Sequence, residues 1–385
     1  MPDTQPRPLI RQLRGAGRLA VEATHGLADL VEAMHAGVAR LPGQAPAQRR
    51  GGIGGLVYRS VHGITRLAGD GLDLLLRGLE PLWQAPGASS PRAEALLAAL
   101  NGVIGDHLAA TGNPLAIPMQ LRREGRPLQA APPAAGPRPL LLIHGLCMND
   151  LQWRQGRTDL AAALAALGYT PLHLRYNSGR HISDNGRELA LLLERQLRAW
   201  PRPLQDLSII GHSMGGLLAR SALHHAEVAG LQWPRRLRHL VFLGTPHLGA
   251  PLERGGQQLQ QLLGLSAYSR PLAALAGRRS AGIQDLRWAS LREEDWGRRS
   301  RLPLPAGVDC YAVAATTAKH PDGLPARLLG DGLVPLDSAL GRHREAARRL
   351  RFPLEHQWVL AGAGHLALLA HPAVQARLCD WLSPR

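Results

Sequence analysis

The stretch LSIIGHSMGGLLARSAL, Leu207 to Leu223, decides how the rest of the chain is read. An apolar run ends on Gly211, a serine stands among glycines at 213, and a helix-like apolar pattern follows at once. Gly211-His212-Ser213-Met214-Gly215 fits the spacing G-x-S-x-G, and the reason for that spacing is steric. A nucleophile on a sharp strand-to-helix turn adopts unfavourable backbone angles, and the residues two before and two after it come so close that only small side chains fit. The turn also leaves Ser213 at a helix N-terminus, where unpaired N–H groups and the helix dipole favour developing negative charge. The bland alternative is a tight corner that happens to contain serine, and five residues alone do not decide between the two.

Working outward, short apolar runs occur at Leu140 to His144, Pro171 to Tyr176, Leu207 to Ile210, Leu240 to Leu243, Cys310 to Ala314 and Trp358 to Ala361. Helix-like stretches such as Leu160 to Leu167 and Glu188 to Leu197 lie between most of them. Strands buried on both faces and separated by helices imply a mostly parallel sheet with helices on both faces, and ligands then belong at the carboxyl ends of the strands. The polar residues agree. IHGLCMND follows the first of these runs, GHSMGG the third, GTPHLGAP the fourth and AGAGHLALL the last, with GDGLVP between. Reactive side chains and glycines therefore collect on one edge.

A serine hydroxyl needs a base. Of 17 histidines, His365 is the best placed, just past the last expected strand and before the final helix. His212, His224, His225, His356 and His371 sit less well. The base in turn needs a carboxylate to hold its tautomer. Asp331 in LLGDGLVPL is the first candidate, because its flanking glycines suit a loop that must bend, while Asp322 in HPDGLP and Asp337 remain alternatives. Acyl transfer also needs donors where a carbonyl oxygen turns negative. The backbone N–H of Met214, directly after the serine, and that of Leu146, in the loop after the first strand, are placed to supply them.

The blocks LLIHG, GHSMGG, GTPHLGAP, DGLVP and GHLALL, over about residues 138 to 385, together resemble the α/β-hydrolase superfamily. Within it they resemble the bacterial esterase/lipase and triacylglycerol-lipase-like branch, which includes the domain shared with GPI inositol-deacylases. The resemblance implies a serine hydrolase acting on carboxylic esters, with acyl-ester or lipid substrates. Ser213, Asp331 and His365 would form the triad, and Leu146 and Met214 the oxyanion hole. It implies no cofactor, and neither the calcium-binding pair of some secreted lipases nor a zinc cluster is matched. Thioester hydrolysis or acyl transfer would use the same residues, and a non-catalytic scaffold binding a membrane or partner is the reading from another class.

Domain organisation follows from composition. AAPPAAGPRP, from Ala130 to Pro139, is rich in proline and small residues. Residues 1–130 read as a mostly helical accessory region, 131–139 as a linker, and 140–385 as the α/β-hydrolase domain. An insertion over 252–301 includes LERGGQQLQQLLGL, an amphipathic helix candidate for a lid, and Trp288 and Trp296 would either face lipid or anchor the insertion. Leu9, Leu13, Leu27, Leu30, Val31, Met34, Val38 and Leu41, and again Leu72 to Leu79, recur at helical spacing. Docked amphipathic helices give that pattern, and so does a membrane-surface face.

The formal charge is +16, but Lys319 is the only lysine and the arginines are scattered, so no nucleic-acid stripe is read. Arg344 through Arg351 reads as a helix end favoured by its own dipole. Weak attraction to anionic lipid is the better-supported consequence of the charge. Cys147, Cys310 and Cys379 are too few for a disulfide framework and read as buried thiols. No secretory signal is apparent, and no stretch reaches the ~18 consecutive apolar residues of a spanning helix. The expected location is the cytoplasm, with contact at the membrane periphery.

Overall fold

A computed structural model of the chain describes residues 15, 17–18, 91–128, 135–154, 159–250, 280–320 and 330–383. Packing divides the chain into two compact units, residues 1–90 with 110–116 and residues 91–109 with 117–385. In the first, the Asn113 amide donates to the Gly15 carbonyl at 3.1 Å. The helical runs expected between 9 and 41 and over 72–79 lie almost wholly outside the described residues.

The second unit runs from helix α1 (Pro91–Ala110) through β1 (Gln120–Arg123), β2 (Arg126–Pro127), β3 (Arg138–Ile143), α2 (Leu160–Ala166) and β4 (Tyr169–Arg175). It continues with α3 (Ile182–Arg198), β5 (Leu207–His212), α4 (Met214–Val228), β6 (Leu237–Leu243) and α5 (Ala281–Trp288). β7 (Asp309–Thr316), α6 (Leu336–Ala339), β8 (Gln357–Ala361) and α7 (Pro372–Leu382) complete it. The eight strands form one sheet in the order β2-β1-β4-β3-β5-β6-β7-β8. From β4 to β8 all neighbours are parallel, and β1 pairs antiparallel with β2 and β4. Every strand expected from the sequence is present. The β1–β2 hairpin is an addition to that expectation, because its polar, arginine-rich sequence lacks an apolar run and precedes the proline-rich segment.

Both faces of the sheet are buried, as the continuous apolar strands require. Leu140 and Leu142 of β3 join Ile210, Val241 and Leu243 in one core, beneath Leu160 and Leu164 of α2 and Leu378 of α7. Leu141 and Ile143 point the other way, to Ile209, Leu240 and Phe242 beneath Leu189 and Leu193 of α3 and Leu217 of α4. Burying each such side chain contributes about 1.5–3 kcal/mol before the entropy of ordering is counted. The chain leaves β3 in one direction to β4 and returns on its other side as β5, so a crevice opens beyond the carboxyl ends of β3 and β5. Ile143 pairs with Gly211 there, which places the loop after β3 beside the turn after β5.

Helix α1 packs within this unit. A Cβ at Gly102 would lie 2.2 Å from the Cys147 sulfur and one at Gly105 1.9 Å from Asn177 Oδ1, so the helix reaches the loops after β3 and β4 only because these positions lack side chains. The Asn177 amide then donates to the Gly105 carbonyl at 2.7 Å. Near its start, Glu94 accepts from both Arg175 nitrogens, at 3.1 and 2.9 Å, and all three charged side chains of the group Glu94, Arg122 and Arg175 are buried. Removing one member of a buried pair strands the other charge, so Glu94→Ala is expected to cost about 3–5 kcal/mol, read from the urea midpoint.

The described part of the insertion is bound to the core. Ser280 donates to the Gly102 carbonyl at 2.7 Å, and the Asp285 carboxylate accepts from the Ile182 amide at 2.8 Å. Trp296 stacks on His181 with ring centroids 3.9 Å apart and donates to Ser183 at 3.1 Å, so this tryptophan anchors the segment. Trp288 ends α5 half-buried, with the Arg287 guanidinium over its ring. The lid candidate LERGGQQLQQLLGL lies outside the described residues.

The helix end expected around Arg348 does not form. Residues Ala346–Arg348 make a single 3-10 turn, because the segment between Gly341 and Pro353 is too short to nucleate a helix without an apolar face to dock.

Burial also makes stability depend on pH. His144, His173 and His239 all have pKa values lowered to about 4, chiefly because burial disfavours the imidazolium. An unfolded histidine binds its proton near 6.5, so above that pH both states are neutral and these groups cost nothing. As pH falls from 6.5 toward 4 the unfolded chain takes up protons that the folded one refuses. Thermal midpoints are therefore expected to hold between pH 8 and 7 and to fall steadily below about 6.5.

Candidate active site

Ser213 occupies the corner between β5 and α4 with φ 54° and ψ −123°. A non-glycine residue with positive φ is strained by about 1–3 kcal/mol and persists only where its surroundings over-determine it. Here they do. The Ser213 amide donates to the Leu243 carbonyl at 2.8 Å, and its carbonyl accepts from the Gly216 amide at 3.1 Å. The glycine spacing is enforced by contact: a Cβ at Gly211 would lie 2.5 Å from the Gly216 Cα, and one at Gly215 2.3 Å from the Ile143 carbonyl. Gly215→Ala must therefore push α4 away from β3, and a loss of about 1–3 kcal/mol is expected in thermal or urea unfolding.

His365 follows β8 and is buried. Its Nδ1 donates to the Asp331 carboxylate at 2.6 Å, and its amide donates to the Asp331 carbonyl at 3.1 Å. With the proton on Nδ1, the other ring nitrogen presents a lone pair, and among the described residues that buried Nε2 has no partner. The second Asp331 oxygen accepts from the amides of Leu333 at 3.0 Å and Val334 at 2.8 Å, which fixes the carboxylate's orientation. Gly330 and Gly332, with φ of 52° and 93°, make the bend around it. The base is also close to the strand that holds the elbow: Gly244, directly after Leu243, approaches the His365 ring so closely that a Cβ there would lie 3.1 Å from Cε1.

The other sequence candidates are placed elsewhere. Asp337 lies in α6 and accepts at its carbonyl from the Arg342 amide, while Asp322 lies outside the described residues. His356 donates to the Cys310 carbonyl at 3.2 Å, and His371 caps α7 by accepting from the Ala373 amide at 3.2 Å. His224 and His225 lie along α4.

Leu146 and Met214 come from the loop after β3 and the first position of α4. The first amides of a helix have no intrahelical acceptor, so the Met214 N–H is available by construction. Gly145 brings the Leu146 loop against the elbow, since a Cβ there would lie 3.0 Å from the Ser213 Cβ. Cys147 turns the loop with φ 59°, and its amide is held by the Ser178 hydroxyl at 3.1 Å. Burial pushes the Cys147 and Cys310 thiols up to about 12, and all three cysteines are free.

One contact is not legible in the sequence. His212 Nε2 donates to the His365 carbonyl at 3.3 Å, and the two rings lie 4.7 Å apart. Burial holds His212 well below its ordinary pKa, so it stays neutral beside the candidate base. Only the tertiary approach of β5 to the segment after β8 reveals it.

The parallel sheet, its switch point and the elbow define the α/β-hydrolase fold. Residues 134–290 match the family described as PGAP1-like alpha/beta domain. Among solved structures, the chain is similar to the mature lipase BlEst2 of Bacillus licheniformis (18% identity, TM-score 0.44, covering 69% of this chain and 98% of that one). It is likewise similar to an alpha/beta hydrolase superfamily protein from Enterococcus faecalis (15%, 0.40, 69% and 95%). A third is EstE1, a thermostable carboxylesterase from a metagenomic library (13%, 0.40, 64% and 80%). No curated protein matches the chain at a significant level. Among the described residues no helix is long and apolar enough to cross a membrane.

Proposed function

We propose that the protein is a serine hydrolase that cleaves carboxylic esters through an acyl-enzyme on Ser213, with acyl lipids as the substrate class to which the sequence resemblance points. The observation that carries this reading is the buried His365–Asp331 pair, 2.6 Å apart, with Nε2 left without a partner among the described residues at the sheet edge that holds a strained serine. In the first step His365 Nε2 takes the Ser213 proton as the hydroxyl oxygen attacks the ester carbonyl. The amides of Leu146 and Met214 stabilise the oxyanion. The tetrahedral species collapses as His365 returns the proton to the leaving alkoxide, which departs as an alcohol. Water, deprotonated by the same histidine, then releases the acid and restores Ser213. Asp331 remains a carboxylate throughout, orienting the ring and stabilising the imidazolium.

The catalytic domain in this reading is 140–385, with 252–301 as an insertion and 1–130 as an accessory region, of which helix α1 packs in the same compact unit against the loop that carries Leu146. Labelling of the purified chain by a fluorophosphonate tests the reading, and absence of stoichiometric labelling overturns it. Rates on p-nitrophenyl esters of graded chain length then separate a short-chain esterase from a lipase, as the ratio of kcat/KM between acetate and longer acyl groups.

A further inference from the structure

The tertiary structure brings Arg299 to an arginine-rich segment that begins more than forty residues later in the chain. Arg299, at the end of the insertion, meets Arg342, Arg344, Arg349 and Arg351 along one groove of about 1060 Å³. Asp337 and Glu345 are the carboxylates lining it, and Glu345 is already paired with Arg348 at 2.9 Å. Arg342 donates to the Gln357 side-chain carbonyl and Arg349 to the His343 carbonyl, both neutral acceptors. Among the described residues, neither Arg299, Arg344 nor Arg351 forms an ion pair, and all three are exposed. A second groove of about 610 Å³ shares Arg299 and extends the positive surface to Arg298 and Arg301.

Leu354 also lines the larger groove and is 83% exposed, more than any other large apolar side chain among the described residues. Of the groove's rings, Phe352 is buried and the His343 imidazole is half-buried, so neither offers an open stacking face. A single-stranded nucleic acid would want exposed rings to stack on, and a duplex would want an element shaped for a groove. Loops bearing arginines around one protruding leucine suit a different anionic partner, a bilayer whose headgroups neutralise the guanidinium groups while the leucine enters the acyl boundary.

We infer that this face is a membrane-docking surface selective for anionic phospholipids. The docking surface does not depend on the proposed chemistry. Leu248 and Gly249 of the groove follow Gly244, which touches the His365 ring, and Ser338 bonds to both while following the Asp331 loop. Gln357 opens β8 and Leu354 lies just before it, so the groove runs from that loop region to the amino end of β8, and docking here would lay the flank of the sheet on the lipid.

The test is flotation of the full chain with vesicles of phosphatidylcholine alone and with added phosphatidylglycerol, at low and physiological salt. Flotation with the anionic vesicles only, weakened by salt, is expected. Combining Arg299→Glu, Arg344→Glu and Arg351→Glu should weaken it at least about a hundredfold, since each arginine lost near an anionic surface is worth about 1 kcal/mol and each glutamate adds repulsion. The same variant should keep the parent's thermal midpoint; should it fold poorly, Arg344→Glu alone gives a graded loss of flotation. Leu354→Asp should reduce the salt-resistant part of the binding severalfold. Equal flotation of the charge-reversed variant, or equal binding to neutral vesicles, overturns the inference. Tighter binding to a DNA duplex than to anionic vesicles overturns it in favour of nucleic acid, and retention of inorganic phosphate without flotation in favour of a small-anion site. Ser213→Ala should float as the parent does, so loss of hydrolysis and loss of docking are separable.

Discussion

Ser213→Ala is expected to lower kcat by roughly 10⁵–10⁶-fold on any ester the protein turns over, and to abolish fluorophosphonate labelling. The size follows from the loss of the covalent route: the proposed oxyanion donors Leu146 and Met214 would remain, so a residual rate above that of water is expected, but no acyl-enzyme could form. Folding should not suffer. Ser213 holds φ at 54°, its hydrogen bonds to Leu243 and Gly216 are made by the backbone, and alanine preserves both. Activity that persists in the alanine variant with normal labelling elsewhere would remove Ser213 from the chemistry. Measuring KM alongside separates a lost nucleophile, which leaves binding intact, from a disturbed pocket.

Asp331→Asn is expected to lower kcat by roughly 10³–10⁴-fold with little change in KM. An asparagine amide can occupy the same place, but it offers a donor where the carboxylate accepted. It then favours the tautomer with the proton on Nε2, the wrong nitrogen for accepting from serine, and it no longer stabilises the imidazolium. Asp337→Asn serves as the control, because Asp337 lies in α6 and the 2.6 Å contact to His365 is made by Asp331. Near-parental rates are expected for that control. Full activity in Asp331→Asn, with activity lost in Asp337→Asn or Asp322→Asn, would move the acid to the other loop.

Much of this architecture is legible in the order of residues alone. Continuous apolar runs such as LLLI and SII can be satisfied only by strands buried on both faces, and the alternation of Leu140 and Leu142 with Leu141 and Ile143 between two cores is the consequence. The β1–β2 hairpin escapes such a reading because its strands are rich in arginine, and the buried one, Arg122, is paired with Asp150 and Glu94 from distant segments, which local pattern does not show. The helix expected to end near Arg348 fails for the opposite reason: local propensity is present, but no long segment and no docked apolar face support it. At the candidate site, the glycines at 211 and 215 are legible because their spacing encodes a backbone collision. Three carboxylates, by contrast, could each have faced His365, since loop conformation over more than thirty residues of chain is not written in local pattern.

By itself the sequence determined the layered parallel sheet, the order of its blocks and the identity of the small residues that a strained serine demands. These are properties of periodicity and excluded volume, which act between near neighbours. Tertiary structure alone decided which carboxylate meets His365, that the His212 ring and Nε2–H lie against it, that α1 is tight against the loop of Cys147, and that arginines 299, 344 and 351 share one surface. Each depends on how distant segments converge at the sheet edge, and charge or geometry set by such convergence leaves no periodic trace in the chain.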